Sequence, residues 1–137
     1  MREECFMKGI DHAWELLRLA RDDHRAMTGM RDHEVFTDAI FGFHAQQAVE
    51  KGLKAWLSAL EILFPLTHDI SRLLPLLEQQ GVEMMDLWEW VELTPFAVEH
   101  RYTWGDDAEA PLDRTELITR IHELLEHIDD QIRHVGP

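Results

Sequence analysis

From Ala39 to Phe64 one row of residues advances in alternating steps of four and three: Ala39, Phe43, Gln46, Glu50, Leu53, Leu57, Leu60 and Phe64. Such a row stays on one face of an α-helix, whereas a strand turns successive side chains to opposite faces and cannot keep it. No proline interrupts the row, and the spacing predicts one long helix over about Asp32 to Leu63. Beside it runs a second row of small residues, Ala45, Ala48, Gly52, Ala55 and Ala59. Small side chains let a neighbouring helix approach closely. The segment is therefore expected at the centre of the fold, packed on several sides.

The remaining chain divides into helix-length pieces at Gly29, Pro65, Gly81, Pro95 and the Gly105 to Pro111 stretch. Phe6, Ile10, Ala13, Trp14, Leu17 and Ala20 make an apolar stripe, predicting a helix from roughly Glu4 to Met27. Thr67 is positioned to cap a short helix from about His68 to Gln80, with Ile70, Leu73, Leu74 and Leu77 inward and Pro75 limiting or kinking it. Met84, Leu87, Trp88 and Val91 suggest a fourth helix over Val82 to Leu93, kinked at Pro95 and continuing to about Tyr102. Gly105 to Pro111 reads as an acidic loop. Asp113 and Glu116 form an approximate capping box for a last helix striped by Leu117, Ile121, Leu124, Ile128 and Ile132. Strand-type alternation is nowhere sustained. The expected fold class is all-α, a single-domain up-and-down bundle of four or five helices over 1–137.

Composition narrows the class of function. The formal net charge is −14, from 13 basic and 27 acidic residues, and it repels polyanions over the surface as a whole. Residues 1–81 hold 9 basic and 13 acidic side chains, while 82–137 hold 4 and 14. A phosphate-facing patch is thus expected mainly in the first part, and the acidic remainder suits a basic partner protein. The single cysteine, Cys5, excludes an internal disulfide and has no His or second Cys at a catalytic spacing. No secretory signal pattern and no long apolar run is present, so a cytoplasmic location is expected, with neither membrane nor DNA as partner.

The informative stretch is Gln46 to Leu57, QQAVEKGLKAWL, because Gln46 and Glu50 stand on the apolar row itself. An unpaired buried carboxylate is costly. Glu50 is therefore expected to be hydrogen-bonded, paired with a cation, or placed at a solvated cleft or subunit interface. A structural polar network that fixes helix register accounts for it as well as a binding site does. Lys51 and Lys54 lie beside the row, where they can meet an anionic ligand or be solvated.

These residues give the chain its resemblance to a known family. Trp14, Ala20 and Asp22 or Asp23 in the first segment, then Phe43, Gln46, Gln47, Ala48, Glu50, Lys51, Lys54 and Ala55, then Phe64, Pro65, Thr67, His68 and Asp69, and finally Arg101 and Tyr102 follow in the order seen in HEPN domains (higher eukaryotes and prokaryotes nucleotide-binding). The resemblance covers nearly the whole chain. It implies a helical bundle, a homodimer, and a nucleotide-binding or regulatory role with a minimal nucleotidyltransferase as partner in a toxin–antitoxin type of cassette, with a nucleotide or RNA as possible ligand. The candidate binding residues are then Gln46, Gln47, Glu50, Lys51, Lys54, His68, Arg101 and Tyr102. No cofactor beyond a nucleotide ligand and no metal is expected.

Many members of that family resemble metal-independent ribonucleases built on an Arg, four to six residues, and a His. Here Arg101 is followed by Tyr102, Thr103, Trp104, Gly105, Asp106, Asp107 and Ala108, so two Asp and an Ala stand where the His belongs. A ribonuclease in which Arg101 is assisted by a different base is the alternative reading, and a scaffold bundle without ligand is the third. Arg18 with His24 and Arg120 with His127 satisfy the spacing formally but fall inside amphipathic helices, where a solvated polar face accounts for them. His122 and His127 are five apart and diverge by about 140° around a helix, so they do not form the zinc pair of a metalloprotease. His68 beside Thr67 reads as a capping or packing element, or as a polar group facing a cleft near Glu50 or Arg101. Trp88 is expected in the core, Trp90 and Trp104 with Tyr102 are possible stacking platforms, and no glycine-rich phosphate loop is present.

Overall fold

The computed structural model describes residues 9–84, 86–98 and 112–135, and these build an all-helical bundle with no strand. Its α-helices are α1 (Gly9–Thr28), α2 (Asp38–Ala59), α3 (Leu74–Glu78), α4 (Pro95–Val98) and α5 (Arg114–Val135). Two 3₁₀ stretches, Ile70–Arg72 and Leu87–Leu93, precede α3 and α4. Helices α2 and α5 both run antiparallel to α1, as His12 with Ser58 and Asp23 with His44 require for α2, and Arg21 with Asp129 and His24 with Ile118 for α5.

α2 is the central helix, and fourteen of its residues are buried. The whole small row, Ala45, Ala48, Gly52, Ala55 and Ala59, is covered. A methyl group at position 52 would meet Leu125 Cδ2 at 2.7 Å and Ile128 Cδ1 at 3.3 Å, so α5 rests directly on the α2 backbone there. Gly42 plays the same part toward α4, because a side chain at that position would enter the Phe96 ring.

The ends of α2 differ from the expected bounds for local reasons. Thr37, not Asp32, is the N-cap, its Oγ1 accepting from Ile40 N at 3.3 Å. Asp32 is used in a turn, accepting from Glu34 N through Oδ1 at 2.8 Å while its carbonyl takes Val35 N and Phe36 N. Short acids favour such turns over helix interiors. At the other end Ile62 N bonds Leu57 O and Glu61 N bonds Ser58 O, with Glu61 at φ 60°. That pair of bonds is a Schellman termination, and it stops the helix before Leu63.

The third segment is split. Asp69, rather than Thr67, caps the 3₁₀ turn through Ser71 N at 2.9 Å, and Thr67 Oγ1 accepts from Asp69 N at 3.0 Å. Pro75 sits in the first turn of α3, where it starts the helix rather than kinking it. Ile70, Leu73, Leu74 and Leu77 are fully buried as expected. In the fourth segment the period is three, not 3.6. Leu87, Trp90 and Leu93 therefore face inward, and Trp88, expected in the core, is 43% exposed.

The start of α5 agrees with the capping reading, Glu116 N donating to Asp113 Oδ1 at 3.1 Å. Its next residue, Arg114, is buried and unforeseen. The guanidinium donates to Met30 O, Phe36 O and Asp38 Oδ1 at 2.7 to 2.8 Å and lies 4.9 Å from the Phe41 ring centroid, tying α5 to the loop before α2. Phe6, Cys5 and the acidic loop from Gly105 lie outside the described residues.

Because the Gly42 contact involves a packed ring and not a flexible chain end, Gly42→Ala should destabilise the fold by about 1–3 kcal/mol. Urea unfolding followed by tryptophan emission measures it, and pairing the change with Phe96→Leu should restore part of the loss.

Candidate functional site

Gln46 is fully buried and Glu50 is 2% exposed, so the two polar members of the apolar row do enter the interior. Each is satisfied there. Lys54 Nζ donates to Glu50 Oε2 at 2.7 Å, while Gln46 Nε2 donates to Oε1 at 2.9 Å and Gln47 Nε2 to the same oxygen at 3.3 Å. His68 Nδ1 lies 3.1 Å from Oε1 and 3.3 Å from Oε2. Helical spacing delivers Gln46, Gln47 and Lys54, which stand four, three and four residues from Glu50. His68 arrives from the segment after α2, because that segment is itself tied down: Gln46 Nε2 donates to His68 O at 3.0 Å and Lys54 Nζ to Thr67 O at 2.9 Å.

Burial is the largest single influence on the Glu50 carboxyl and opposes its ionisation. Hydrogen bonds from Lys54 and Gln46, the Lys54 charge and the His68 contact together outweigh it, and Glu50 titrates below the ordinary carboxylate range. An ionised carboxylate only accepts hydrogen bonds. His68 must therefore present Nδ1–H to it, which turns Nε2 outward on a side chain 63% exposed.

A second carboxylate stands beside this one. Asp23 of α1, 12% exposed, accepts from Lys51 Nζ through Oδ2 at 2.7 Å and lies 2.9 Å through Oδ1 from His44 Nδ1. His44, Gln47, Lys51 and Lys54 follow steps of three, four and three, so they share one face of α2, and all four are half-buried. Sequence reasoning did not single out His44. The signal was present in its register with Gln47 and Lys51, but the partner that gives it meaning comes from another helix.

Six of the eight expected site residues, Gln46, Gln47, Glu50, Lys51, Lys54 and His68, thus fall on this face or its edge. Arg101 and Tyr102 lie outside the described residues, as does Trp104. The other motifs resolve structurally. Arg18 pairs with Glu15 and Asp22 on the surface, while His24 Nε2 meets Ile118 O at 2.9 Å and joins α1 to α5. Arg120 lies 4.5 Å over the Trp90 ring and bonds Glu89, and His127 packs edge-on to Trp56. Among the described residues no cluster of three His, Cys, Asp or Glu side chains has the arrangement of a metal site, and no helix is long and apolar enough to cross a membrane.

The family model described as HEPN domain matches residues 13–131. That span contains both carboxylates and all the donors around them. No curated protein and no solved structure matches the chain.

The lowered titration of Glu50 has a definite sign for stability. The folded state favours the ionised form, so the contribution is complete above the carboxylate's unfolded value and is lost as pH falls through its lower folded value. Glu50→Gln should cost about 3 kcal/mol at neutral pH, since it leaves Lys54 without its charged partner. It should also flatten the acid limb of stability relative to wild type. Urea midpoints at neutral and acidic pH test both effects.

Proposed function

Because the chain belongs to the HEPN domain family, we propose that it works as a nucleotide-binding and regulatory module, with a minimal nucleotidyltransferase as its partner in a two-gene cassette of toxin–antitoxin type. The observation that carries this reading is the convergence of Gln46, Gln47, Lys54 and His68 on one ionised carboxylate buried in the apolar seam of α2. Lys54 commits two of its three donors to Glu50 and Thr67 and is 13% exposed at its side chain, which leaves it less open to a ligand than Lys51. Gln47 likewise donates to Gln46 Oε1 at 2.7 Å and to Glu50, so the groups with capacity left for a ligand phosphate are Lys51 and the outward nitrogen of His68. Arg101 and Tyr102 belong to the same proposal on the strength of the resemblance, Arg101 as a phosphate contact and Tyr102 as a neighbour in the pocket or partner surface.

Charge fits the rest. A chain at −14 holds back long polyanions but tolerates a mononucleotide where cations gather locally, and its acidic second part complements a basic partner surface. A homodimer, in the cytoplasm, completes the reading.

ATP and other nucleotides titrated into the protein should change tryptophan emission saturably. Lys51→Ala and His68→Ala should each weaken binding about tenfold, the loss of a hydrogen bond to a charged group, measured under conditions where circular dichroism shows each variant folded. A flat response to every nucleotide would favour the scaffold reading. The nucleotidyltransferase encoded beside the gene, when co-expressed, should co-purify with this chain.

A further inference from the structure

Helix α5 meets α1 through Glu126, Asp129 and Arg133. A second stripe of the same helix, Arg120, Leu124, His127, Gln131 and Val135, advances in steps of four, three, four and four and lines open space instead. Two hollows of about 460 and 410 Å³ lie along it and meet at His127. Their opposite walls are Gln80, Gly81, Val82 and Glu83 in one and Asp86, Leu87, Glu89 and Trp90 in the other. Together they make a groove about 22 Å long from Arg120 to Val135, at 1.5 Å per residue of α5.

The floor of the groove is apolar and firmly packed. Trp56, Trp90 and Leu124 at its base are 3%, 5% and 7% exposed, and the His127 ring stands edge-on to Trp56 with centroids 5.4 Å apart. Its rim is acidic, with Glu83, Asp86, Glu89 and Glu123 along it and Arg120 as the one arginine or lysine among the lining residues. Arg120 is already engaged, its Nη2 donating to Glu89 Oε1 at 2.8 Å and its guanidinium lying 4.5 Å over the Trp90 ring. Glu83, Asp86 and Glu123 pair with no cation among the described residues. On the polar face of α2, by contrast, Asp23 and Glu50 each hold a lysine.

These features select among occupants. A net charge of −14 opposes a second copy of the chain, and an acidic rim repels nucleic acid and anionic lipid. An apolar floor flanked by unpaired carboxylates fits a segment with an apolar stripe and basic flanks, and the straight ridge of α5 suits a helix laid beside it. Arg120 displays the same chemistry within the chain, a guanidinium seated on an indole face with a carboxylate next to it. We propose that the groove is the docking site for a basic amphipathic helix of a partner protein, about four turns long. Its apolar stripe covers the floor, and its lysines or arginines pair with Glu83, Asp86 and Glu123. The proposal rests on the reading that the acidic second part of the chain meets a basic partner, and it gives that partner a place apart from the polar face of α2.

The test uses the purified full chain and a synthetic peptide of about fifteen residues, built of leucine and lysine with the leucines in helical period. Tryptophan emission of the protein should change saturably with this peptide. It should stay flat with a scrambled isomer, which keeps the charge but loses the apolar stripe, and with a version carrying glutamate for lysine. Glu83→Lys combined with Glu123→Lys should weaken binding by about tenfold or more, whereas Asp11→Lys combined with Glu34→Lys, an equal change of net charge on exposed residues outside the groove, should weaken it by less than about twofold. Circular dichroism checks that each variant is folded. Equal weakening by the two pairs, equal binding of the scrambled isomer, or no response of the wild type overturns the proposal. Co-expression with the nucleotidyltransferase separates the two readings. Co-purification that survives the groove pair overturns the groove and leaves the partner, while selective peptide binding without co-purification supports the groove and removes that partner.

Discussion

An ionised carboxylate inside the apolar seam of the central helix is the constraint from which most of this structure follows. A charge taken out of water needs compensation by geometry, and Glu50 obtains it from three side chains of its own helix and one from the next segment. Recruiting that last donor fixes the path of the chain after α2. Residues Thr67 and His68 are pinned by their carbonyls to Lys54 and Gln46, and the apolar plug of Ile70, Leu73, Leu74 and Leu77 begins immediately afterwards. The polar network and the core are therefore not independent. The same hydrogen bonds that neutralise the carboxylate set where the next hydrophobic cluster enters.

The opposite side of α2 follows a different logic. There the small row brings helix backbones together, and side chains that arrive from α5 fill the space left by Gly52, while Gly42, one turn before Gln46, gives its space to Phe96 of α4. Close packing on one side and a satisfied polar network on the other leave α2 little freedom to rotate or slide. Register is thus fixed twice, by shape and by charge. The surface ion pairs on α1 and α5, such as Arg18 with Glu15 and Arg133 with Asp129, are exposed on at least one partner and add little to this. Arg114 is the exception. Its buried guanidinium joins three separate stretches of chain, and its Nε is the buried side-chain atom without a partner among the described residues.

Periodicity made much of this legible. The α2 row, the Asp113 cap and the stripe on α5 could be read directly, because long amphipathic helices repeat their signal many times. The short elements could not. Leu87 to Leu93 has an apolar pattern compatible with either three or 3.6 residues per turn, and only packing chooses between them, which is why Trp88 and Trp90 exchange places relative to the α-helical reading. The Pro75 misreading has the same origin, since a proline signals a boundary without saying on which side the helix lies. At the site, Glu50 announced itself by standing where a leucine belongs. His44 did not, and Asp23 entered only as one of two acids in the family resemblance, because each is ordinary on its own helix and acquires its partner only from the antiparallel pairing of α1 with α2. Arg114 was illegible for a related reason: two of its three acceptors are backbone carbonyls, which carry no sequence signature, and the third, Asp38, stands far from it along the chain.

A polar network that serves the fold is often set against one that serves chemistry, but histidine removes the opposition. Its two ring nitrogens are separate resources. At His68 the inner nitrogen completes the coordination of a buried carboxylate, and the outer one is left facing water on a ring whose tautomer and orientation are already decided. The cost of fixing that ring is thus met in the folding of the chain. The same holds for His44 on Asp23. On this face of α2 the hydrogen bonds that satisfy the two carboxylates also decide which ring nitrogen is left facing outward.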